Sequence, residues 1–357
     1  MKVTVEQDEI TSEISRIMDY EFDGTTTFYP HEFSAIDRET TLKDFGIGLI
    51  VGPSGSGKTT LLKEFGEELE PYWFDNKSIA SHFDDIDDVQ DRLGAVGFNS
   101  IPSWLRPYHV LSNGEQFRAR LARQLDSNIV VDEFTSVIDR DVAKSCSNAI
   151  SRYVKRHNLR NIVFSSCHYD IIEWLQPDWV FDTHTGKLTT RGYQRPDIVL
   201  EIVPCTRDIW TTFSDHHYLD HHIHKGASCW IATWNDRLVG FLSSLSMPSG
   251  ALKNAWRAHR LVVLPEYQGL GIGARLTDAL GDIHITEGKR FYLKTTHPRL
   301  GEYCNRSDKW RGTSKNGIAR PDYNTNDSTF GGFADGLQKH MNRVCYSHEY
   351  IGLAPKA

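Results

Sequence analysis

The alternation of apolar and polar positions divides the chain into two α/β halves. In the first half, short apolar runs end in glycine, serine or carboxylate residues, which is typical of buried strands. These runs lie at 48–51, 129–131 and 161–164, and a long acidic, helix-prone stretch lies at 64–92. The pattern therefore predicts an α/β domain in this half.

The second half has longer strands and a different order of elements. Two of its strands flank Asn235 and Asp236, a pair that predicts an antiparallel hairpin. The predicted strands lie at 198–204, 229–234, 238–245, 259–264 and 291–296, and a helix at 274–283. The pattern changes near residue 190, which predicts two domains, 1–190 and 191–357. The second domain has a central mixed sheet and a polar C-terminal extension, with a short helix expected at 334–344.

Composition narrows the class of protein. The chain has 357 residues, of which 39% are hydrophobic and 24% charged, as in ordinary globular proteins with two cores. Its net charge of −7 argues against a protein that coats nucleic acid over its whole surface. Six scattered cysteines suggest reduced thiols, and the chain shows neither an apolar leader nor a membrane-spanning run. We therefore expect a cytoplasmic protein that does not enter membranes.

The loop at residues 52–60, Gly-Pro-Ser-Gly-Ser-Gly-Lys-Thr-Thr, predicts a phosphate-binding site. Its glycines let backbone amides close around a polyphosphate, whose charge also meets the positive end of the next helix. Lys58 would reach the β- and γ-phosphates of ATP, and the Thr59 hydroxyl would bind Mg²⁺. A plain glycine-rich turn is the alternative, and the strand–loop–helix context argues against it.

Further motifs follow in the same half. The segment 111–116 predicts a helix start capped by Ser112 or Asn113. Asp132 and Glu133 end an apolar strand, so that Asp132 is placed to hold Mg²⁺ and Glu133 to accept a proton from the water attacking the γ-phosphate. The segment 136–139 and His168 come next.

These motifs, in this order, resemble the ABC-type ATPase family over roughly residues 15–190. The resemblance implies that 52–59 is the Walker A loop, 111–116 the signature, 129–133 the Walker B strand, 136–139 the D-loop and His168 the switch histidine. The implied ATP-binding residues are Gly52, Ser54, Gly55, Ser56, Gly57, Lys58, Thr59, Thr60, Ser112 and Gly114. Because the family sandwiches nucleotide between two such domains, a homodimer is implied. The family's Q-loop glutamine has no clear counterpart, with Asn99 nearest, and transport is not expected from a short helical segment without membrane spans.

A second glycine-rich loop, 268–273, opens the helix of the second half. Alone it is a weak signal, since many such loops are only tight turns. Its setting of hairpin, strand, loop, helix and strand resembles the GNAT acyltransferase family over about 198–312. The resemblance implies an acetyl-CoA site, whose pantetheine arm pairs with backbone groups of Val262 and Val263. The pyrophosphate would contact Gln268, Gly269, Leu270, Gly271, Ile272 and Gly273.

Two groups of residues are candidates for the catalysis of acyl transfer. By position in the family, Tyr303 would protonate the departing thiolate, although a packing tyrosine is equally compatible. The histidine-dense stretch 215–224, interpreted as a helix, offers His216 or His217 as a general base for the amine. Solvated histidines are the plainer interpretation, and a metal site built on His217 and His221 would lack a third ligand.

The distribution of charged residues suggests the class of molecule that contains the acceptor amine. Residues 286–320 carry nine Lys or Arg and three acidic residues, interleaved with Tyr292, Tyr303 and Trp310, which predicts a nucleic-acid surface. The alternative is that two or three of these cations contact the phosphates of coenzyme A. Residues 216–219 also faintly resemble an element of the Mom family of DNA-modifying enzymes. The leading hypothesis is an ATP-assisted acyltransferase acting on an exocyclic amine of a DNA or RNA base. The alternatives are an acyltransferase for a protein or small-molecule amine gated by the ATPase, and an ATP-switched acyl-CoA sensor without catalysis.

Overall fold

A computed structural model describes residues 2–27, 42, 44–190, 192–217, 221–248, 252–320 and 343–352. The α-helices are α1 (Glu9–Ile17), α2 (Lys58–Leu62), α3 (Ile86–Ala95), α4 (Ile101–Trp104), α5 (Asn113–Gln124), α6 (Arg140–His157), α7 (Ile172–Leu175), α8 (Trp210–Phe213), α9 (Ile272–Thr286) and α10 (Pro298–Arg306). The strands are β1 (Lys2–Thr4), β2 (Thr25–Thr27), β3 (Ile47–Val51), β4 (Val130–Val131), β5 (Ile162–Ser166), β6 (Trp179–Asp182), β7 (Lys187–Thr189), β8 (Glu201–Cys205), β9 (Ser228–Trp234), β10 (Arg237–Ser246), β11 (Ala255–Val263), β12 (Arg290–Thr295), β13 (Trp310–Gly312), β14 (Ile318–Arg320) and β15 (Arg343–Tyr350). Short 3₁₀ helices lie at Ile79–His82, Tyr108–Val110, Tyr169–Ile171, Arg207–Ile209, Ser214–His216 and Pro265–Tyr267.

The chain forms two compact units that are not two halves of the sequence. The first unit contains Met1–Pro71, Gln124–Ser136 and Tyr153–Gln194, and the second contains Tyr72–Arg123, Val137–Arg152 and Arg195–Ala357. The predicted division at residue 190 into two domains stays a prediction. Both units are α/β, as the sequence predicts.

The first unit is built on a five-stranded sheet in the order β4-β5-β3-β6-β7. The first four strands are parallel and β7 is antiparallel. All five residues of β3 are buried, which explains the continuous apolar run in the sequence. Gly48 is required there because a Cβ would lie 2.1 Å from the ring of Trp179. The carboxyl ends of four strands therefore meet at one edge of this sheet.

The second unit contains a mixed sheet in the order β13-β15-β12-β11-β10-β9-β8, with β14 paired to β15. The predicted hairpin is confirmed, since β9 and β10 are antiparallel and Asn235 and Asp236 both have left-handed φ angles of 50° and 61°. The helix α9 packs Leu276 and Leu280 against the sheet. The mixed central sheet expected for this half is confirmed.

Two predicted helices are wrong in part. In the stretch 64–92, the only α-helix is α3, which begins at Ile86. The segment before it forms turns and a 3₁₀ helix at Ile79–His82. The helix predicted at 334–344 is contradicted at its end, where β15 begins at Arg343. Residues 334–342 lie outside the described part of the chain. β15 lies between β12 and β13, so long-range pairing overrides the local helical preference.

Candidate functional site

The first candidate site lies where the parallel strands of the first unit end. β3 leads into the phosphate loop, β4 into Asp132 and β5 into Cys167 and His168. In the sheet, β5 lies between β3 and β4. A side chain that comes after β3 nevertheless contacts a side chain that comes after β4. Thr59 Oγ1 donates a hydrogen bond of 2.7 Å to Asp132 Oδ2, although the two residues are 73 positions apart.

The phosphate loop has the backbone that its glycines predict. Gly52 has a φ of 153°, and a Cβ there would lie 2.0 Å from Thr183 Oγ1. Gly57 has a left-handed φ of 85° at the start of α2. Lys58 Nζ donates to Pro53 O over 2.8 Å, so the ammonium group lies across the loop. The helix α2 spans only Lys58–Leu62, so backbone amides of the loop, rather than a long helix dipole, would provide most of the attraction for phosphate.

Thr59 and Asp132 fit Mg²⁺, which prefers hard oxygen ligands such as hydroxyl and carboxylate groups. Asp132 is also positioned by neighbours that sequence reasoning missed. Ser165 Oγ donates to Asp132 Oδ1, and the Asp132 amide donates to Glu68 Oε2 over 3.2 Å. The only sequence signal for Ser165 is its place at the end of β5, next to the segment that contains His168.

Glu133 follows β4 and His168 follows β5. Thr135, two residues after Glu133, contacts His168. Glu133 is exposed, has a left-handed φ of 48°, and its amide donates to Asp132 Oδ1 over 2.9 Å. A hydrogen bond of 3.1 Å joins Thr135 Oγ1 and His168 Nδ1. This contact fixes the imidazole ring beside the strand ends. Thr135 was not among the predicted residues because a threonine in a turn carries no recognisable motif.

The predicted signature forms a capped helix start. Ser112 Oγ donates to Glu115 Oε2 over 2.9 Å, while the Glu115 amide donates back to Ser112 Oγ over 3.4 Å. Ser112 is therefore the N-cap of α5, one of the two caps that the sequence left open. Gly114 is closely packed, since a Cβ at this position would lie 3.2 Å from Ile138 Cγ2. Ser112 and Gly114 belong to the second unit, and their contact with ATP stays a prediction.

A second candidate site opens between β11 and β12. These parallel strands pair only at Ala255–Arg257 with Arg290–Tyr292, although β11 continues to Val263 and β12 to Thr295. The strands therefore diverge, and within the described residues the edge of β11 beyond Arg257 pairs with no strand on this side. Leu264 donates its amide to Val239 on β10, so by alternation the polar backbone groups of Val263 face the open edge. This alternation favours Val263 over Val262 as the backbone partner of a pantetheine arm.

The glycine-rich loop lies at the end of that open edge. Gly269 and Gly271 have left-handed φ angles of 97° and 81°, and α9 begins at Ile272. The Gln268 side chain donates to Val263 O over 2.9 Å, so it fixes the loop to β11. Within the described residues, the amides of Gly269, Leu270 and Gly271 donate no hydrogen bond. Such amides at the start of a 15-residue helix suit a pyrophosphate. The contacts of Ile272 and Gly273 with the coenzyme stay predictions.

Tyr303 lies in a network around a buried carboxylate. Its hydroxyl donates to Asp278 Oδ2 over 2.6 Å, and Trp310 Nε1 donates to Asp278 Oδ1 over 2.8 Å. Burial, followed by the hydrogen bond to Asp278, raises the pKa of Tyr303 to about 12. The phenol is therefore protonated at neutral pH. Sequence reasoning missed Asp278, whose role depends on contacts between α9, α10 and β13.

The histidine-dense stretch is not one helix. A 3₁₀ helix ends at His216, and His217 is extended with a ψ of 126° because its ring packs against Trp210 at 5.6 Å between centroids. His216 is exposed. The interpretation as a helix is therefore wrong as far as His217, and residues 218–220 lie outside the described chain. In the described ranges, no group of three histidine, cysteine or acidic residues could hold a metal ion.

Part of the basic stretch 286–320 pairs with acids elsewhere in the sequence. Arg290 and Arg311 both bind Glu349 with distances of 2.7 Å, and Lys309 Nζ lies 3.3 Å from Asp278. Trp310 is only 5% exposed and cannot stack on a base. The predicted nucleic-acid surface thus loses three cations and one aromatic platform. Among the described helices, none combines the length and apolar character that crossing a bilayer requires.

Comparison with known proteins supports the second site. A model of the acetyltransferase (GNAT) family matches residues 195–302. This stretch is a GNAT acetyltransferase domain. It contains both the open edge of β11 and the loop 268–273, in agreement with the resemblance in the sequence. No curated protein sequence matches the chain.

Similar solved structures are of two kinds. One is a Bacillus subtilis acetyltransferase in complex with CoA, with 14% identity, 44% coverage of this chain, 100% coverage of that chain and a TM-score of 0.29. Another is the ribosomal-protein-S18-alanine N-acetyltransferase of Escherichia coli, with 14% identity, coverages of 44% and 97%, and a TM-score of 0.30. The third is CbiO1 of Clostridium perfringens, part of an ABC transporter complex, with 18% identity, coverages of 42% and 77%, and a TM-score of 0.32. At these scores the superpositions carry no weight for function. The likeness of residues 216–219 to the Mom family stays a prediction.

Proposed function

We propose that this protein hydrolyses ATP and transfers an acetyl group from acetyl-CoA to an amine. The observation that carries the proposal is the GNAT domain, whose strands β11 and β12 diverge beside a loop with three amides that donate no hydrogen bond within the described residues. The convergence of the phosphate loop, Asp132 and His168 at one sheet edge supports the ATPase activity.

In the ATPase site, the loop amides and Lys58 would bind the phosphates, while Thr59 and Asp132 would hold Mg²⁺. The metal would neutralise phosphate charge. Glu133 would accept a proton from the attacking water as its oxygen bonds to the γ-phosphorus and ADP leaves. His168, oriented by Thr135, would donate a hydrogen bond to the transferred phosphate.

In the acyltransferase site, the amine nitrogen would attack the thioester carbonyl carbon. The C–S bond then breaks, the coenzyme leaves as a thiolate, and the amine loses a proton to a base. We propose His216 or His217 as that base and Tyr303 as the group that protonates the thiolate. For Tyr303 this requires the phenol to exchange its hydrogen bond with Asp278 for one to the sulfur.

Two classes of acceptor are proposed. The first is an exocyclic amine of a DNA or RNA base, which the basic stretch favours; an ATP-driven clamp could meet the cost of unstacking the base. A protein or small-molecule amine is the second class, favoured by the pairing of Arg290 and Arg311 with Glu349. A sensor that binds acyl-CoA without transfer is the third hypothesis. We also propose a homodimer, in which each signature meets ATP on the other chain.

The test is transfer of label from [acetyl-¹⁴C]acetyl-CoA to cellular DNA, RNA, protein and small-molecule fractions, with and without Mg-ATP. We expect label that depends on ATP in the wild type and is reduced in Glu133→Gln, whose ATP turnover should fall by about a hundredfold. Label in nucleic acid would support a base as acceptor, and label confined to the other fractions would exclude it. Acetyl-CoA binding with no label in any fraction would contradict the transferase and leave the sensor.

A further inference from the structure

We propose that Glu115 occupies the phosphate-binding groups of the signature until ATP displaces it, and that this displacement weakens the binding of acetyl-CoA at the loop 268–273. The inference rests on the proposed coenzyme site and on the proposed homodimer, in which the signature of one chain meets ATP on the other. It adds a regulatory contact to both. The signature helix α5 and the loop belong to the same compact unit.

The first step is the contact that Glu115 makes at the start of α5. Glu115 Oε2 accepts hydrogen bonds from the Ser112 amide over 3.0 Å and from the Ser112 hydroxyl over 2.9 Å. Burial raises the pKa of Glu115, but the hydrogen bonds from Ser112 and Ser103, followed by the charge of Arg118, outweigh burial and lower the pKa overall. The side chain is therefore a carboxylate at neutral pH. A phosphate oxygen would need the same two donors and carries the same sign of charge, so ATP and this carboxylate exclude each other there.

The second step is the arginine that lies one turn further along α5. Arg118 Nη1 donates to Gly97 O over 3.2 Å, and the guanidinium group lies 4.9 Å from the centre of the Phe98 ring. Arg118 follows Glu115 by three residues, a spacing at which two side chains of a helix can meet. A carboxylate released from Ser112 therefore has this cation within reach. The new ion pair would compete with the hydrogen bond from Arg118 to Gly97.

The third step is the contact between Gly97 and the coenzyme loop. A Cβ on Gly97 would lie 3.2 Å from Gln268 O, and a Cβ on Gly269 would lie 3.5 Å from the Cα atom of Gly97. Asn148 Nδ2, on α6, donates to Gly269 O over 2.7 Å. The loop therefore contacts both Gly97 and α6. Gln268 also donates to Val263 O over 2.9 Å, so a shift of Gly97 would reach the edge of β11 as well as the loop.

The fourth step is the direction of the effect. In the described structure, Arg118 holds Gly97 beside a loop whose backbone suits a pyrophosphate. When ATP releases Glu115, Arg118 exchanges Gly97 O for the carboxylate, and the loop loses a support. We therefore expect Mg-ATP to weaken the binding of CoA. By reciprocity, CoA should weaken the binding of Mg-ATP by the same factor.

The test measures the affinity for CoA by calorimetry, with and without Mg-ATP, in the full-length Glu133→Gln protein, which should hydrolyse ATP slowly. Two further substitutions are made in this background. Glu115→Gln keeps an oxygen that can accept from Ser112 and removes the charge. Arg118→Gln removes the hydrogen bond to Gly97.

The matched control is Arg123→Gln in the same background. Arg123 also lies on α5 and also donates to a backbone oxygen, Tyr72 O, over 2.6 Å, which is not part of the loop. Light scattering verifies that Mg-ATP has formed the dimer, and melting temperatures verify folding.

We expect Mg-ATP to weaken CoA binding about tenfold in the Glu133→Gln protein and in the Arg123→Gln control. In Glu115→Gln and Arg118→Gln, the affinity for CoA should no longer depend on Mg-ATP. Glu115→Gln should also bind Mg-ATP several-fold more tightly, because the competing charge is gone.

The inference is overturned if Mg-ATP forms the dimer and leaves the affinity for CoA unchanged or increases it. It is also overturned if Glu115→Gln keeps the tenfold effect, because the carboxylate would then be only a helix cap. This variant decides the question even if Arg118→Gln does not fold. A protein that stays monomeric with Mg-ATP, or that binds no CoA at all, would instead contradict the proposed function on which the inference rests.

Discussion

At the scale of single residues, two backbone conformations beside the ATPase site stand out. Glu133 and Thr135 are not glycines, yet their φ angles are 48° and 74°. A branched side chain rarely adopts such a conformation, and the surrounding contacts must maintain it. Thr135 is fully buried and bonded to His168, so the strained turn places one hydroxyl where it orients the imidazole.

This contact predicts the effect of Thr135→Val. The substitution keeps the shape of the side chain and removes its hydroxyl, so His168 loses a positioning hydrogen bond. We expect ATP turnover to fall about tenfold, the size of one hydrogen bond, while ATP binding changes little. Steady-state hydrolysis and nucleotide titration measure the two quantities. Thr135→Ser retains the hydroxyl and should keep most of the activity. Equal turnover in the valine and serine variants would contradict the proposed role.

His284 predicts a pH dependence of stability. The ring stacks between Trp256 and Phe291, and burial, followed by the charge of Lys289, lowers its pKa to about 4 from 6.5. Between these values the unfolded chain binds a proton that the folded protein does not. The stability that the neutral ring contributes is therefore complete above pH 6.5 and is lost as pH falls towards 4.

The measurement is the free energy of unfolding in urea at pH 7.5 and pH 5. We expect the wild type to lose more stability than His284→Gln over this interval, by about 1 kcal/mol or more. Glutamine can keep a hydrogen bond to Ser244 Oγ, which lies 2.9 Å from His284 Nε2. Identical losses in the two proteins would show that another group titrates.

At the scale of elements, α6 and the glycine-rich loop of the second site are in close contact. The loop approaches the helix so closely that Gly269, with a φ of 97°, would place a Cβ 3.1 Å from Ser145 O and 3.2 Å from Ala149 Cβ. Gly97 approaches the same loop, with Gln268 O at 3.2 Å from its Cβ position. Glycine is required here for close packing as well as for backbone conformation.

The substitution Gly269→Ala separates these two requirements when it is compared with Gly288→Ala. Gly288 also has a left-handed φ, 71°, but a Cβ there meets nothing within 4 Å. Both variants pay the backbone cost of about 1 kcal/mol, and Gly269→Ala should lose a further 1–3 kcal/mol or so through crowding. Urea unfolding measures the difference. Equal losses would show that α6 does not constrain the loop.

At the scale of the whole molecule, the ATPase motifs and the acyltransferase site occur once in each chain. If two chains share ATP, as the family resemblance implies, slow hydrolysis should trap the pair. We expect Glu133→Gln to elute at twice the monomer mass with Mg-ATP and at the monomer mass without it. Light scattering after size exclusion measures this.

Lys58→Ala is the control for that experiment, because it should weaken phosphate binding and stay monomeric in both conditions. A Glu133→Gln protein that stays monomeric while binding ATP would contradict the proposed homodimer. A dimer present in every variant and condition would show that nucleotide does not drive association.

The sequence by itself determined the motifs whose residues are neighbours in the chain. The glycines of 52–57, the pair Asp132 and Glu133, the cap at Ser112 and the loop 268–273 act through their own backbone or adjacent side chains, so local spacing is sufficient to predict them. The hairpin of the second half and the positions of the strands around it follow from local sequence patterns for the same reason.

Only the tertiary structure decided which distant residues support those motifs. Thr135 beside His168, Asn148 beneath Gly269 and Glu349 between two arginines are brought together by pairing between strands and helices far apart in sequence. A charge count over residues 286–320 leaves out Glu349, because β15 lies beside β12 only in the folded chain. The physical reason is that strand pairing and burial bring together residues that are far apart in the sequence. The role of such a residue cannot be predicted from its neighbours in the chain.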